Sequence, residues 1–318
     1  MTLSHDIGDY PEGLVLPIDK PYRWTSADVI RKVKFAAFRP FRKKNLKVGH
    51  AGTLDPLATG VLLVCIGPAC KRAQLLQDHD KEYVAGIRFG ATTPSYDLEK
   101  EVDRMLPFDQ VTEEALRAVL PSFQGTQDQV APLFSAKSVD GVRAYEMARK
   151  LYRNAQKGIL AGPDFDAAAL EILHHSTITI HELELLDFVS GRSEAESSAS
   201  GVTDEPSAIP PRTKTFSPEK RSKKFCPTPG ADGPDSAYAA LSTASSRINV
   251  ADTSELGLPE AHIRIACSKG TYIRAFARDL GEALGTGAHL SSLVRTRTGD
   301  YSLSDALSLD EVLALLAE

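Results

Sequence analysis

The chain lacks several features that would point directly to a function. Its 318 residues include only 4 cysteines, 3 methionines and 1 tryptophan. The cysteines have neither zinc-site nor redox-motif spacing, so we expect reduced thiols, as in a cytoplasmic protein: Cys65, Cys70, Cys226 and Cys267. His174 and His175 are adjacent and have no glutamate-rich ligand set around them. The sequence therefore offers no recognisable metal site.

Long apolar runs and a strong charge imbalance are also missing. No stretch is long and apolar enough to cross a membrane, and the N-terminus shows no basic region followed by an apolar run, so we expect no signal peptide. The formal net charge is −5, so a nucleic-acid partner would need a local basic surface. One basic cluster lies ahead of residue 48, where a solvated turn and a phosphate contact are equally good interpretations: Arg39, Arg42, Lys43, Lys44 and Lys47.

A segment of small residues, Val48–Val61, surrounds a single acid, Asp55. Small residues allow sharp bends and close approach of a partner. Pro56 biases Asp55 away from helical backbone, so this carboxylate is expected on an extended or turning segment. The segment lacks the lysine of a phosphate-binding loop, and the chain has neither Rossmann spacing nor a nucleophile elbow. Asp55 remains as the candidate reactive group.

The periodicity of apolar residues predicts strands and helices without a regular β-α-β alternation. The predicted strands are Gly13–Ile18, Val61–Ile66, Lys81–Ala91, Thr177–Phe188 and Ala261–Cys267. Helices are predicted after a cap at Thr25, over Thr112–Leu120, Val142–Tyr152 and Tyr272–Leu284, and after the capping box that begins at Ser308. This arrangement favours an α+β fold with a mixed, mainly antiparallel sheet flanked by helices and loops.

The composition changes between about residues 190 and 258. Serine, proline, glycine and charged residues dominate there, and apolar periodicity disappears. We interpret this stretch as a disordered, low-complexity insertion into one domain that spans residues 1–318. A solvated loop is the default interpretation of its basic residues, and an RNA-contacting arm is the alternative.

Five groups of residues together resemble the TruB family of tRNA pseudouridine synthases. The central group is Gly-His-Ala-Gly-Thr-Leu-Asp-Pro-Leu-Ala-Thr-Gly-Val-Leu at Gly49–Leu62, which is similar to the catalytic motif of the family. The others occur in the family's order: Asp19-Lys20-Pro21 with Thr25-Ser26; Lys81-Glu82-Tyr83 with Phe89–Thr93 and Asp97; Gln129–Pro132 with Tyr145 and Arg149; and Cys267–Arg274 with Gly287–Leu290.

The resemblance implies a pseudouridine synthase fold and isomerisation of uridine 55 in the TΨC loop of tRNA. It implies no cofactor and no metal, because the reaction changes neither redox state nor composition. It also implies that the target base is flipped out of its stack. We expect a cytoplasmic monomer that binds the TΨC arm and does not associate with membranes.

The resemblance assigns roles to six residues. Asp55 is the catalytic acid, acting on the sugar or on the base, and Arg274 pairs with it to keep it ionised. Tyr83 would stack on the flipped base and assist proton removal from C5, whereas core packing is the structural alternative. Three further residues have family roles with structural alternatives: Leu293 (pocket wall or core), His50 (displaced-base stacking or loop bracing) and Lys20 (RNA contact or loop bracing).

The chain also departs from the family pattern. Arg23 stands where glycine is frequent, Ala131 replaces a proline, and Ser138 falls where lysine is common. After Tyr301 only a short helix is predicted, so we expect no C-terminal RNA-binding (PUA-like) domain. Two alternatives to a stand-alone tRNA enzyme are the catalytic subunit of a guide-RNA machine and a tRNA-folding protein.

Overall fold

A computed structural model describes residues 3–4, 6–43, 45–132, 134, 138–139, 142–143, 175–192 and 248–317. The strands are β1 Leu14–Lys20, β2 Val48–Ala51, β3 Thr59–Ile66, β4 Lys81–Phe89, β5 Ala91–Thr92, β6 Arg104–Met105, β7 Gly125–Val130, β8 Ser138–Val139, β9 Val142–Arg143, β10 His175–Val189, β11 Glu260–Cys267, β12 Ala288–Thr298, β13 Tyr301–Ser302 and β14 Leu307–Ser308. The α-helices are α1 Ser26–Phe41, α2 Ala73–Gln77, α3 Glu113–Val119, α4 Ile273–Ala283 and α5 Leu309–Leu315.

Ten of these strands form one sheet. Its order is β14-β1-β3-β12-β4-β11-β10-β7, with β2 paired to β3 and β13 paired to β12. The pairs β1/β14 and β3/β12 are parallel, and the other pairs in this sheet are antiparallel. The predicted α+β fold with a mixed, mainly antiparallel sheet is therefore confirmed.

Strand β3 is buried on both of its faces. Leu62, Val64 and Ile66 belong to the main core, into which α1, α4 and α5 also pack. The alternating residues Val61, Leu63 and Cys65 pack into a smaller core with β2 and α2. A continuous apolar run is what a strand covered on both faces requires, because successive side chains point to opposite sides.

Local capping fixes where the helices begin. In α1, Thr25 accepts from the Asp28 N–H while the Asp28 carboxylate accepts from the Thr25 N–H, and Ser308 and Glu311 do the same in α5. Such reciprocal bonds satisfy backbone donors that a helix start leaves unpaired. Both predicted starts are confirmed, and the predicted helices over Thr112–Leu120 and Tyr272–Leu284 correspond to α3 and α4.

The structure differs from the sequence-based expectations at several places, among them β2, β7 and α2, which were not predicted. Val142 and Arg143 lie in β9, so the helix predicted over Val142–Tyr152 is wrong at its start, and its remainder lies outside the described residues. Strand β12, in the middle of the sheet, was not predicted, because serines and arginines interrupt its apolar residues.

Most of the insertion at 190–258 lies outside the described residues. Within the described part of the chain, no helix has the length and apolar character to span a membrane.

Candidate active site

Asp55 lies in the loop between β2 and β3, as its proline neighbour predicts. Ser26, at the first turn of α1, holds the residue before it: its hydroxyl donates to the Leu54 carbonyl at 3.1 Å and accepts from the Leu54 N–H at 3.0 Å. Lys20 holds the residue after it, since its Nζ donates to the Pro56 carbonyl at 3.1 Å. The backbone around Asp55 is therefore fixed on both sides before any substrate binds.

Arg274, on the first turn of α4, makes a bidentate ion pair with Asp55. Its Nε lies 2.9 Å from Oδ2 and its Nη2 lies 3.1 Å from Oδ1. The Arg274 side chain is 4% exposed, whereas that of Asp55 is 38% exposed. Burial alone would lower the pKa of Arg274, but the charges of Asp55 and Asp97 outweigh it and raise this pKa. The arrangement places an accessible carboxylate beside a permanent buried cation.

A second carboxylate, Asp97, faces the same guanidinium. Its Oδ2 lies 3.7 Å from the Nε of Arg274, and its Oδ1 accepts from the Ser95 hydroxyl at 2.6 Å. Burial raises the pKa of Asp97, and the Arg274 charge opposes that rise. The two remaining Arg274 contacts are to the carbonyls of Ser95 and Phe134, at 3.1 and 2.9 Å. The cluster thus combines one cation with two acids, of which only Asp55 is accessible.

Lys20 is completely buried. Its Nζ donates to three carbonyls, those of Pro21, Trp24 and Pro56 at 2.9, 2.6 and 3.1 Å. Three acceptors match the three N–H donors of an ammonium group. Burial nevertheless lowers the pKa of Lys20 to about 7, although the charge of Asp55 acts in the opposite direction. A side chain in this position braces the loop of Asp55 and is not available for direct contact with RNA.

Arg295, on β12, is a further buried cation that no local sequence pattern identifies. It is 1% exposed and donates to the carbonyls of Val61, Gly52 and Thr53 at 2.7, 3.0 and 3.5 Å. Gly60, at φ +95°, makes its position possible, because a Cβ there would lie 2.2 Å from the Arg295 carbonyl oxygen. Arg295 therefore holds the other end of the same loop through main-chain acceptors.

These groups border a cleft of about 540 Å³. Its lining includes Asp55, Tyr83, Arg274, Leu293 and Arg295. Tyr83 extends from β4 with 8% of its surface exposed, and it also packs into the main core, so the binding and the structural interpretations both describe part of its environment. Burial raises the pKa of the Tyr83 phenol, which is therefore neutral at neutral pH. The cleft volume is typical of pockets that hold small ligands.

Three other sequence features lie away from the cleft or are only partly described. His50 is half-buried on β2, is not among the described residues that line the cleft, and has a pKa lowered by burial and by the charge of Arg295. In the basic cluster, Arg39, Arg42, Lys43 and Lys47 are exposed, and Lys44 lies outside the described residues. Ser138 lies in β8, and the neighbouring Lys137 is outside them.

Family models match two segments of the chain, and each segment contributes residues to this site. A family model described as TruB family pseudouridylate synthase (N terminal domain) matches residues 39–157. A second, described as tRNA pseudouridylate synthase B C-terminal domain, matches residues 274–318. Asp55 and Tyr83 fall within the first match, and Arg274 and Leu293 fall within the second.

Similar curated proteins include tRNA pseudouridine synthase B of Phocaeicola vulgatus, 39% identical over 95% of this chain and 92% of that protein. The protein of the same name from Flavobacterium johnsoniae is 34% identical over 95% of each chain. Among solved structures, a Cbf5-Nop10-Gar1 complex matches with a TM-score of 0.53 at 21% identity, over 97% of this chain and 56% of that one. The chain thus spans little more than half of that solved relative, and this likeness concerns the fold.

Proposed function

This chain belongs to the TruB family of pseudouridylate synthases, and we propose that it isomerises uridine 55 in the TΨC loop of tRNA to pseudouridine. The observation that carries the proposal is the ion pair between Asp55 and Arg274 at the cleft. It supplies a charged, accessible carboxylate at a position where a flipped nucleotide can enter.

The chemistry requires little besides such a carboxylate. In the isomerisation the bond between N1 of uracil and C1′ of ribose breaks, and a bond between C5 and C1′ forms. The proton on C5 leaves and N1 gains one, so the atoms balance and no electrons are transferred. We propose that Asp55 starts this sequence, either as a nucleophile on the sugar or the base or as the trigger of glycosidic cleavage. Arg274 keeps it charged while the bound base displaces water.

Tyr83 and Leu293 are proposed to enclose the flipped base. The Tyr83 ring lies at the cleft and its phenol is neutral at neutral pH, so stacking is better supported than removal of the C5 proton by a tyrosinate. We therefore expect Tyr83→Phe to retain more turnover than Tyr83→Leu, which removes the ring. Single-turnover rates on a tRNA transcript would measure this. Equal losses in the two variants would show that the hydroxyl, rather than the ring, is what the reaction needs.

We also propose that the protein acts in the cytoplasm as a monomer, without a metal or a cofactor. The described cysteines, Cys65, Cys70 and Cys267, are free thiols, which suits a reducing compartment. Size-exclusion chromatography coupled to light scattering would test the oligomeric state. To test the need for a metal, activity is measured after extensive treatment with a chelator, and we expect it to survive.

Tritium release tests the main proposal. The protein is incubated with a tRNA transcript that carries tritium at C5 of its uridines, and tritium in solvent is followed with time. We expect release by the wild type and none by Asp55→Asn. The matched control is Asp128→Asn, which makes the same change at an exposed residue of β7. Release by neither the wild type nor this control would refute the activity, and equal release by Asp55→Asn would refute the role of Asp55.

A further inference from the structure

The last described part of the insertion contacts the two loops that carry the active-site acids. We call residues Ile248–Asp252 the return segment. The N–H of Ala251 donates to the carbonyl of Leu98 at 2.8 Å, and Ala251 forms a buried cluster with Leu57 and Leu98. Leu57 is two residues after Asp55, and Leu98 directly follows Asp97. The return segment thus packs against the immediate neighbours of both carboxylates that face Arg274.

The return segment is held at both ends. Directly after it, Thr253 is buried, accepts from Nη1 of Arg88 at 2.8 Å, and lies 3.3 Å from Nε2 of the buried His289. At its start, Nη2 of Arg23 donates to the carbonyl of Ile248 at 2.6 Å, across 225 positions of sequence. The side chains of Ile248 and Val250 pack on the buried cluster.

Arg23 has an unusual backbone for its residue type. Its φ is +62°, in the left-handed region that favours glycine because a side chain there crowds the backbone. The turn that contains Arg23 is itself tied to the loop of Asp55, since Lys20 binds the carbonyls of Pro21, Trp24 and Pro56 together. One short turn therefore contacts the return segment on one side and the catalytic loop on the other.

From these contacts we propose that the return segment positions the loops of Asp55 and Asp97, and that Arg23 is a positioning residue that holds it there. The inference rests on the proposed function for its catalytic readout. The proposed interaction is a single charge-assisted hydrogen bond from Arg23 to the Ile248 carbonyl. This bond keeps Leu57 and Leu98 packed and so keeps both acids aligned on Arg274. A substrate contact for Arg23 is not part of the proposal.

Two substitutions at Arg23 separate positioning from general stabilisation. Arg23→Gly removes the bond to Ile248 but relieves the left-handed backbone, so thermal stability is expected to change little. Its kcat should fall about tenfold, the effect of losing one hydrogen bond of a charged group, while KM for tRNA is unchanged. Arg23→Lys keeps a cationic donor and should restore most of the kcat. The control, Arg117→Gln, removes an exposed arginine charge from α3 and should have no effect.

Hydrogen exchange provides a test that does not depend on catalysis. In Arg23→Gly the peptides that cover residues 54–58 and 97–99 should exchange faster than in the wild type, and in Arg117→Gln they should not. Unchanged exchange in Arg23→Gly would overturn the proposal, whether or not the protein modifies tRNA. An unchanged kcat in an active enzyme, or a loss of kcat that Arg23→Lys does not restore, would also overturn it. Inactivity of the wild type would refute the proposed function alone.

Discussion

Removing the charge of Asp55 should destabilise the protein less than breaking a buried ion pair usually does. Loss of one partner of such a pair typically costs about 3–5 kcal/mol. In Asp55→Asn, however, Arg274 retains Asp97 at 3.7 Å and the carbonyls of Ser95 and Phe134. The lost carboxylate is also 38% exposed, so solvent already weakened its interaction. We therefore expect a loss of about 1–2 kcal/mol in the free energy of unfolding, again by reference to the buried-pair value.

The second half of this prediction concerns Asp97. Burial raises the pKa of Asp97, so part of its favourable interaction with Arg274 only offsets desolvation, and we expect Asp97→Asn alone to change stability by about 1 kcal/mol or less. The double variant removes both carboxylates that pair with the buried guanidinium, and its loss should reach about 3–5 kcal/mol, more than the sum of the single losses.

Urea denaturation at pH 7 of the wild type, both single variants and the double variant measures this coupling. Circular dichroism of each variant before denaturation serves as the control for folding. Losses that add within about 0.5 kcal/mol would refute the reasoning, because they would mean that neither acid replaces the other beside Arg274.

Two further predictions concern the buried cations, and both use urea denaturation. Arg295→Met should cost at least about 3 kcal/mol in stability, because it removes the guanidinium donors of the buried Gly52 and Val61 carbonyls; a loss below about 1 kcal/mol would contradict that role. Burial lowers the pKa of Lys20 from 10.5 to about 7, so above pH 7 the unfolded chain binds a proton that the folded chain releases. The free energy of unfolding of the wild type, relative to that of Lys20→Met, should therefore rise with pH between about 7 and 10, by at most about 1.4 kcal/mol per pH unit. A difference that does not depend on pH would show that the three carbonyls keep Lys20 charged.

Local patterns in the sequence were sufficient for many of the elements. The alternation of Tyr83, Ala85, Ile87 and Phe89 predicts β4, and all four side chains are buried in the main core. The cap at Thr25 and the capping box at Ser308 predict helix starts that the structure contains. Such features depend on residues within one or two turns of each other, so they can be recognised without knowledge of the tertiary structure.

The site depends on contacts that no local pattern reveals. Arg274 and Asp55 are 219 positions apart, and only the motif resemblance related them. Arg295 lies on a strand whose sequence looks polar. Its buried guanidinium donates to carbonyls that are more than 230 positions away in the sequence, so no local pattern reveals that it is buried. Asp97 was noted only as part of a motif, and its burial beside Arg274 follows from the packing of the sheet against α4. A charged residue in an otherwise apolar environment indicates a buried site residue only when its partners are known.

The direct pairing of β10 with β11 bears on how the chain tolerates changes of length. These antiparallel neighbours are joined through about 70 residues, 190–259. The entropy lost on closing a chain segment grows only with the logarithm of its length, so a connection of this size is less favourable than a four-residue hairpin by only about 2.5 kcal/mol. Changes in the length of this connection should therefore have little effect on the stability of the sheet, provided that the register of β10 and β11 and the contacts of the return segment are kept.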